Sequence, residues 1–256
     1  MTGGNPALAT AIGDLLLALR PRDPRHILQA ATHLHSQNYE DAIIAEIFGR
    51  IGEGNRTFVE IGVGDGTECN TRALLDRGWS GIWIEGLADA AERARSNLAD
   101  HVARGALAIV AAAVTRDNIS GLVHGALGAR PVDFLSVDID QNTSHVWRAL
   151  DLRPRVACIE YNASVPPGVA WEVPYRPDGT WDGSNRFGAS LKTLEEIGRE
   201  KRLALVGCDF HGVNAFFVAD EECGDRFITP YTAERHFEPP RYGLIAHRGH
   251  PAPTRT

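Results

Sequence analysis

The stretch Glu60-Ile61-Gly62-Val63-Gly64-Asp65-Gly66-Thr67 decides how this chain is read. It follows an apolar run over 57–61, which predicts a buried strand, and precedes a helical pattern over 68–77. Three glycines at alternate positions allow a tight turn and a close approach of backbone to a ligand. The helix beyond them offers unpaired N–H groups. The spacing is GxGxG, not the GxGxxG of nicotinamide and flavin binders. Glu60 stands two positions before the first glycine, and Glu85 lies nineteen residues after the last, closing the next apolar run over 81–84. A carboxylate at that point is placed to accept both hydroxyls of a ribose.

Working outward, short apolar runs alternate with helical stretches. Strands are expected over 57–61, 81–84, 107–112, 132–139, 156–161, 203–208 and 215–218. Helices are expected over 68–77, 88–104, 120–127, from the fourth strand through Trp147, and over 188–201. Continuous apolar strands alternating with helices imply a parallel sheet covered on both faces. Only six residues separate the last two strands, too few for a helical crossover, so these pair antiparallel. The fold class is therefore α/β, a Rossmann-like, doubly wound, seven-stranded sheet with an antiparallel last strand. Ahead of it, 6–20 and 41–51 read as helices, the second ended by Gly52 and Gly54 and capped by Ser36 or Asn38. The organisation is a helical extension over 1–54, the sheet domain over 55–220 and a C-terminal extension over 221–256. Within the sheet domain, 163–187 has neither period and carries Trp171, Tyr175, Arg176, Trp181 and Arg186, which suits a lid over an acceptor.

The acid-x-Gly-x-Gly-x-Gly motif, with an acid closing the second strand, resembles class I S-adenosylmethionine-dependent methyltransferases. Four further segments are similar to the FkbM-like family of small-molecule and sugar O-methyltransferases. They are Ser36-Gln37-Asn38-Tyr39-Glu40-Asp41, Ser136-Val137-Asp138-Ile139-Asp140, Ile159-Glu160-Tyr161-Asn162 and Gly212-Val213-Asn214-Ala215-Phe216-Phe217. The resemblance spans about 36–218. The chain departs from it at Asp140-Gln141-Asn142-Thr143, where such proteins often read Asp-Gly-Asn-Asp. The resemblance implies a cofactor site made by Gln37, Glu60, Gly62, Gly64, Asp65, Gly66, Thr67, Glu85, Ala112, Ala113 and Asp138. Glu60 would orient the turn, Glu85 would bind the ribose, and Ala112 and Ala113 would lie near the adenine. The activity implied is methyl transfer from S-adenosylmethionine to a hydroxyl of a sugar or secondary metabolite.

Asp138 and Asp140 lie two apart at the end of the fourth strand, and Glu160 and Asn162 two apart at the end of the fifth. Crowded carboxylates need a cation or a shared proton. Hard oxygen ligands suit Mg²⁺, so some subset of Asp138, Asp140, Glu160 and Asn162 is a candidate metal site. Catechol O-methyltransferase is similar in kind, its metal ligands coming from the same two strand ends. The competing reading gives Asp138 to the amino group of the cofactor. Without a metal the reaction needs a general base, for which His145 and His211, after the fourth and sixth strands, are the candidates beside Asp138 and Asp140.

Composition narrows the alternatives. The 256 residues carry 33 acidic and 26 basic side chains, net −7, against a nucleic-acid partner. The longest apolar run, 106–114, is half a membrane span, and no secretory signal opens the chain. Four cysteines without a CxxC pair fit free thiols in a reducing cytoplasm. The expected partner is a small-molecule acceptor, and the N-terminal extension could serve a homo-oligomer contact. The rivals are a non-catalytic module that keeps the fold and a nicotinamide-dependent oxidoreductase.

Overall fold

A computed structural model describes residues 23–27 and 34–242, together with Ile12, Leu15 and Leu16. The helix expected over 6–20 and the last part of the C-terminal extension, residues 243–256, otherwise lie outside the described residues.

The strands are β1 (Thr57–Ile61), β2 (Ser80–Glu85), β3 (Leu107–Ala111), β4 (Phe134–Val137), β5 (Val156–Glu160), β6 (Leu203–Cys208) and β7 (Asn214–Ala219). They form one sheet in the order β3-β2-β1-β4-β5-β7-β6. The first five are parallel, and β7 runs antiparallel to both its neighbours. This is the expected Rossmann-like, doubly wound sheet. The strand order reverses between β1 and β4: β2 and β3 are added on one side of β1, β4 and β5 on the other, and that switch point opens a crevice at the strands' carboxyl ends.

The side-chain period of two divides the core. Val59, Ile61, Ile82, Ile84, Leu135, Val137, Ala157 and Ile159 face one layer, which holds α5 (Ile119–Leu127), α6 (Thr143–Ala149) and α7 (Leu191–Glu200). Phe58, Trp83, Phe134, Val156, Cys158 and Phe216 face the other. There lie α1 (Glu40–Ile51), α2 (Arg72–Asp76), α3 (Ala88–Asn97) and α4 (Ala99–Ala103). Counting in twos along β1, β2, β4 and β5 puts Glu60, Glu85, Asp138 and Glu160 on the side of α1. The short α8 (Asp220–Cys223) and α9 (Ala233–His236) follow β7, and Ile27, Cys223 and Phe227 share the α1-side core. The four cysteines are free and buried. No helix among the described residues is long and apolar enough to cross a membrane.

Two helices depart from the expected bounds for local reasons. Residues 68–71 form a bend and turn ahead of α2, because Asn70 and Thr71 donate their N–H groups to Glu60 instead of to a preceding helical turn. The expected 88–104 helix breaks at Leu98 into α3 and α4. The start of α1 has no side-chain cap from its neighbour Tyr39, which is left-handed (φ 67°). Ser36 serves instead: its hydroxyl accepts the Asp41 N–H at 3.0 Å, and the Asp41 carboxylate accepts the N–H groups of Leu34, His35 and Ser36.

Ser190 joins the long loop to α7. Its hydroxyl oxygen accepts the Thr193 N–H at 3.3 Å and the Trp171 N–H at 3.0 Å. Ser190→Ala is expected to cost about 0.5–2 kcal/mol, the range for a lost N-cap, read as a lowered urea midpoint at unchanged slope.

Candidate functional site

Glu60 is 4% exposed and spends its carboxylate on the chain itself. One oxygen accepts the Asn70 N–H at 2.8 Å. The other accepts the Thr71 N–H at 3.0 Å and the Thr71 hydroxyl at 2.5 Å. The same hydroxyl oxygen accepts the Trp83 indole N–H. Glu60 thus fixes the turn that leads into α2. Burial pushes its carboxyl up to about 7, against the opposing pull of Thr71 and Asn70.

Gly62 has φ 87°, and a Cβ there would lie 1.7 Å from the carbonyl oxygen of Asp138. No other residue fits. Gly64 (φ 55°) faces open space instead. Its N–H donates to Glu85 at 2.8 Å, and the other Glu85 oxygen accepts the Leu87 N–H. Gly66 departs from expectation: it packs its α-carbon on the Trp83 ring and does not line the crevice.

Two adjoining cavities occupy the crevice and share Gly62, Glu85 and Leu87. The larger, about 410 Å³, is lined by Gln37, Glu40, Asn70, Thr67 and Asn214 among others. Seven of its lining residues are acids: Glu40, Glu60, Asp65, Glu68, Glu85, Asp138 and Asp140. Among the described residues no Lys, Arg or His lines it. The smaller, about 350 Å³, is more apolar, with Ile84, Leu87, Ala113, Val114, Ile139 and Pro177 on its walls. Leu87 is 71% exposed, a large apolar side chain left uncovered between the two.

Asp138, Asp140 and Glu160 each bring a carboxylate oxygen within 4.8 Å of the others. Asp140 holds a left-handed backbone (φ 56°) at the start of the short 3₁₀ turn, Asp140–Asn142, that follows β4. Burial first, and then the charge of Asp140, raises the Glu160 carboxyl well above the ordinary carboxylate range.

Several sequence-predicted residues sit elsewhere. Asn162 is no partner of the acid cluster: its amide N–H groups donate to the carbonyls of Asn185 and Phe187, and its oxygen accepts the Ser164 N–H. His145 lines neither cavity, because its Nε2 bonds the Val173 carbonyl at 2.7 Å and its ring abuts Tyr175. His211 is also away from both cavities, buried and stacked on Tyr39, and burial lowers it to about 4. Ala112 donates its N–H to the Glu85 carbonyl, and only Ala113 reaches the smaller cavity. The loop over 163–187 folds on its own aromatics, Trp181 against Phe187 and Tyr175 under Arg116. Only its 177–180 tip reaches the crevice, beside Ala113 and not beside the acid cluster. Gln37, Asp65 and Thr67 do line the larger cavity. Gln37 donates to Glu68 at 2.8 Å, and the Asp65 carboxylate, held low by the Thr67 hydroxyl, turns back on that residue.

Sequence reasoning missed Glu40 and Asn214 as cavity residues. Glu40 is 1% exposed and accepts from the Asn38 N–H, the Asn38 amide and, at 2.8 Å, the Asn214 amide. Both lay in segments singled out for resemblance, and only the fold brings them together.

No protein-family model matches the sequence, nor does any curated protein. Among solved structures, the chain is similar to an O-methyltransferase from Bacillus cereus in complex with SAH, at 17% identity and TM-score 0.47, covering 84% of this chain and 100% of that one. It is also similar to the N-terminal domain of EvdMO1, solved in the presence of SAH and D-fucose, at 15% identity and TM-score 0.46, covering 82% and 96%.

The raised Glu60 value has a consequence for stability. A Glu in the unfolded chain titrates near 4.5, below the folded value. Folding therefore takes up a proton in between. The stabilising contribution is complete below about pH 4.5 and is lost as the pH rises through 7. The stability difference between wild type and Glu60→Gln is expected to fall by up to roughly 3 kcal/mol from pH 4.5 to 8. Urea denaturation of both proteins across that range measures it, and a pH-independent difference contradicts it.

Proposed function

We propose that the protein is an S-adenosylmethionine-dependent O-methyltransferase of the FkbM-like kind, acting on a hydroxyl of a sugar or other small molecule. The observation that carries this is the electrostatics of the larger cavity. Seven carboxyl side chains without a basic one favour a ligand with positive charge and disfavour a dinucleotide, whose pyrophosphate would meet acids on every side. S-adenosylmethionine brings a sulfonium and an ammonium. The smaller, apolar cavity suits a flat heterocycle, with Leu87 covering one face of it. Glu85, already accepting from Gly64 and Leu87, keeps lone pairs for two ribose hydroxyls.

In this reading Gly62 and Gly64 let the ligand lie against bare backbone, and the acceptor enters from the Asp138–Asp140 side. Its oxygen displaces the sulfonium in line: the C–O bond forms as the C–S bond breaks, and the thioether leaves neutral. With His145 and His211 outside the cavities, the hydroxyl proton passes to the carboxylate of Asp138, a member of the acid cluster that lines the larger cavity. Most of the rate then comes from holding two reactants in one geometry. The three clustered carboxylates also fit a hard divalent cation such as Mg²⁺, with Asp138, Asp140 and Glu160 as its holders. Such an ion would lower the pKa of the acceptor hydroxyl.

The direct test is titration calorimetry with S-adenosylmethionine, S-adenosylhomocysteine and NAD⁺. Both adenosyl compounds are expected to bind and NAD⁺ to fail, and Glu85→Ala is expected to weaken the adenosyl compounds tenfold or more, about 1.4 kcal/mol. Equal affinity in wild type and Glu85→Ala would falsify the assignment of the ribose position. For the cation, methyl transfer from labelled S-adenosylmethionine is expected to stop in EDTA and return with added Mg²⁺. Transfer that survives exhaustive chelation removes the ion from the mechanism.

A further inference from the structure

The proposed function leaves one end of the adenosyl ligand unassigned. If the heterocycle sits in the smaller cavity and the ribose at Glu85, the amino-acid end must run past the glycine turn into the larger cavity. That end carries an ammonium, which needs acceptors and a negative charge.

Most of the seven acids are committed elsewhere. Glu60 is used on Asn70 and Thr71, and Asp65 on Thr67. Glu68 accepts from Gln37 at the exposed rim, and Glu85 stands at the ribose. Asp138 and Asp140 belong to the cluster with Glu160. Glu40 remains. It is the first residue of α1, 1% exposed, and its carboxylate is oriented by two Asn38 donors and the Asn214 amide N–H. All three donors are neutral, so the carboxylate lacks a countercharge among them.

A second observation points the same way. Asn214 also lines the larger cavity and is 3% exposed, and its amide oxygen has no hydrogen-bond partner. Its Nδ2 donates to Glu40, so the orientation of the amide is fixed by that bond. A buried acceptor without a donor costs free energy unless a ligand supplies one. An ammonium has three donors and no acceptor, and satisfies a carboxylate and an amide oxygen together.

Building on the proposed function, we propose that Glu40 and Asn214 bind the α-ammonium of the cofactor's amino-acid end. The pair therefore distinguishes S-adenosylmethionine and S-adenosylhomocysteine from adenosyl thioethers that lack that end.

Calorimetry with two probes tests this. S-adenosylhomocysteine carries the ammonium, and 5′-methylthioadenosine keeps the adenosine and sulfur without it. Glu40→Gln is expected to weaken S-adenosylhomocysteine tenfold or more and to leave 5′-methylthioadenosine within twofold of wild type. Asn214→Ala, which removes the unpartnered oxygen, is expected to act in the same direction by a smaller factor. Thermal melts show which variants are folded, and either folded variant suffices for the comparison. If a folded variant weakens both probes alike, or weakens neither, the assignment is overturned. A wild-type protein that binds neither probe overturns the adenosyl reading itself, and this assignment with it. A wild type that binds both equally well, with Glu85→Ala weakening both, leaves the ribose position standing and sinks only the ammonium site.

Discussion

A carboxylate buried under the first crossover organises this molecule. Glu60 ends β1 on the α1 side of the sheet, where burial alone would expel a charge, and the chain answers with two backbone N–H groups and a hydroxyl. Those donors belong to Asn70 and Thr71, the two residues just ahead of α2, so the helix does not begin earlier, and the glycine turn between is held at both ends. The Thr71 hydroxyl extends the bond to Trp83 on β2, and the Trp83 ring is in turn the surface that requires a glycine at 66. One acid at the end of one strand thereby ties together two strands, a helix and the turn that faces the crevice. Buried networks of this sort are favourable only when every member is satisfied, and here each Glu60 oxygen is.

The same logic, run in the opposite direction, describes the crevice. Glu40 and Asn214 are as buried as Glu60, yet the amide oxygen of Asn214 finds no donor. Asp209, just below them, accepts the N–H groups of His211, Val213 and Asn214, and burial with the adjacent Glu40 charge raises it well above the ordinary carboxylate range. A fold that tolerates this density of acceptors gains most from a ligand that brings donors and positive charge. The contrast lies between Glu60, whose oxygens are all satisfied from within the chain, and Glu40, whose partner Asn214 keeps a buried acceptor without a donor.

The parts legible in the sequence were those set by local pattern. Continuous apolar runs marked all seven strands, because a sheet covered on both faces leaves no polar alternation to obscure them. The six residues between β6 and β7 settled their antiparallel pairing by length alone. Glu85 was legible because its place at a strand end follows from β2. Side-chain direction beyond the strand ends was not legible. Asn162 keeps the strand's period in sequence, but the loop returning at 185–187 captures its amide. His145 is placed after β4 as expected, yet α6 turns it to the Val173 carbonyl, a partner 28 residues away. The Glu40–Asn214 bond spans 174 residues and depends on α1 lying across the sheet face at β7, which no local pattern encodes.

Asp140 shows what the acid cluster asks of the backbone. A non-glycine residue at φ 56° costs about 1–2 kcal/mol relative to the right-handed region, and the carboxylate it carries is then set among those of Asp138 and Glu160. Both the backbone and the charges oppose this arrangement. Asn142 and Thr143 hold it: the Thr143 hydroxyl oxygen accepts the Ile139 N–H at 3.1 Å, and the Asn142 amide donates to the Arg176 carbonyl of the long loop. Gly188 approaches the Asp140 carbonyl from the other end of that loop. The loop over 163–187 therefore also braces this turn. Arg176 at its middle and Gly188 just past its end hold the turn that carries Asp140, and residues 177–180 close the apolar cavity beside Ala113. Strain that is held from several sides at a strand end is where reactive geometry is expected to be stored. Here it holds the carboxylates of Asp138 and Asp140 at the wall of the larger cavity, with that of Glu160 within 4.8 Å of both.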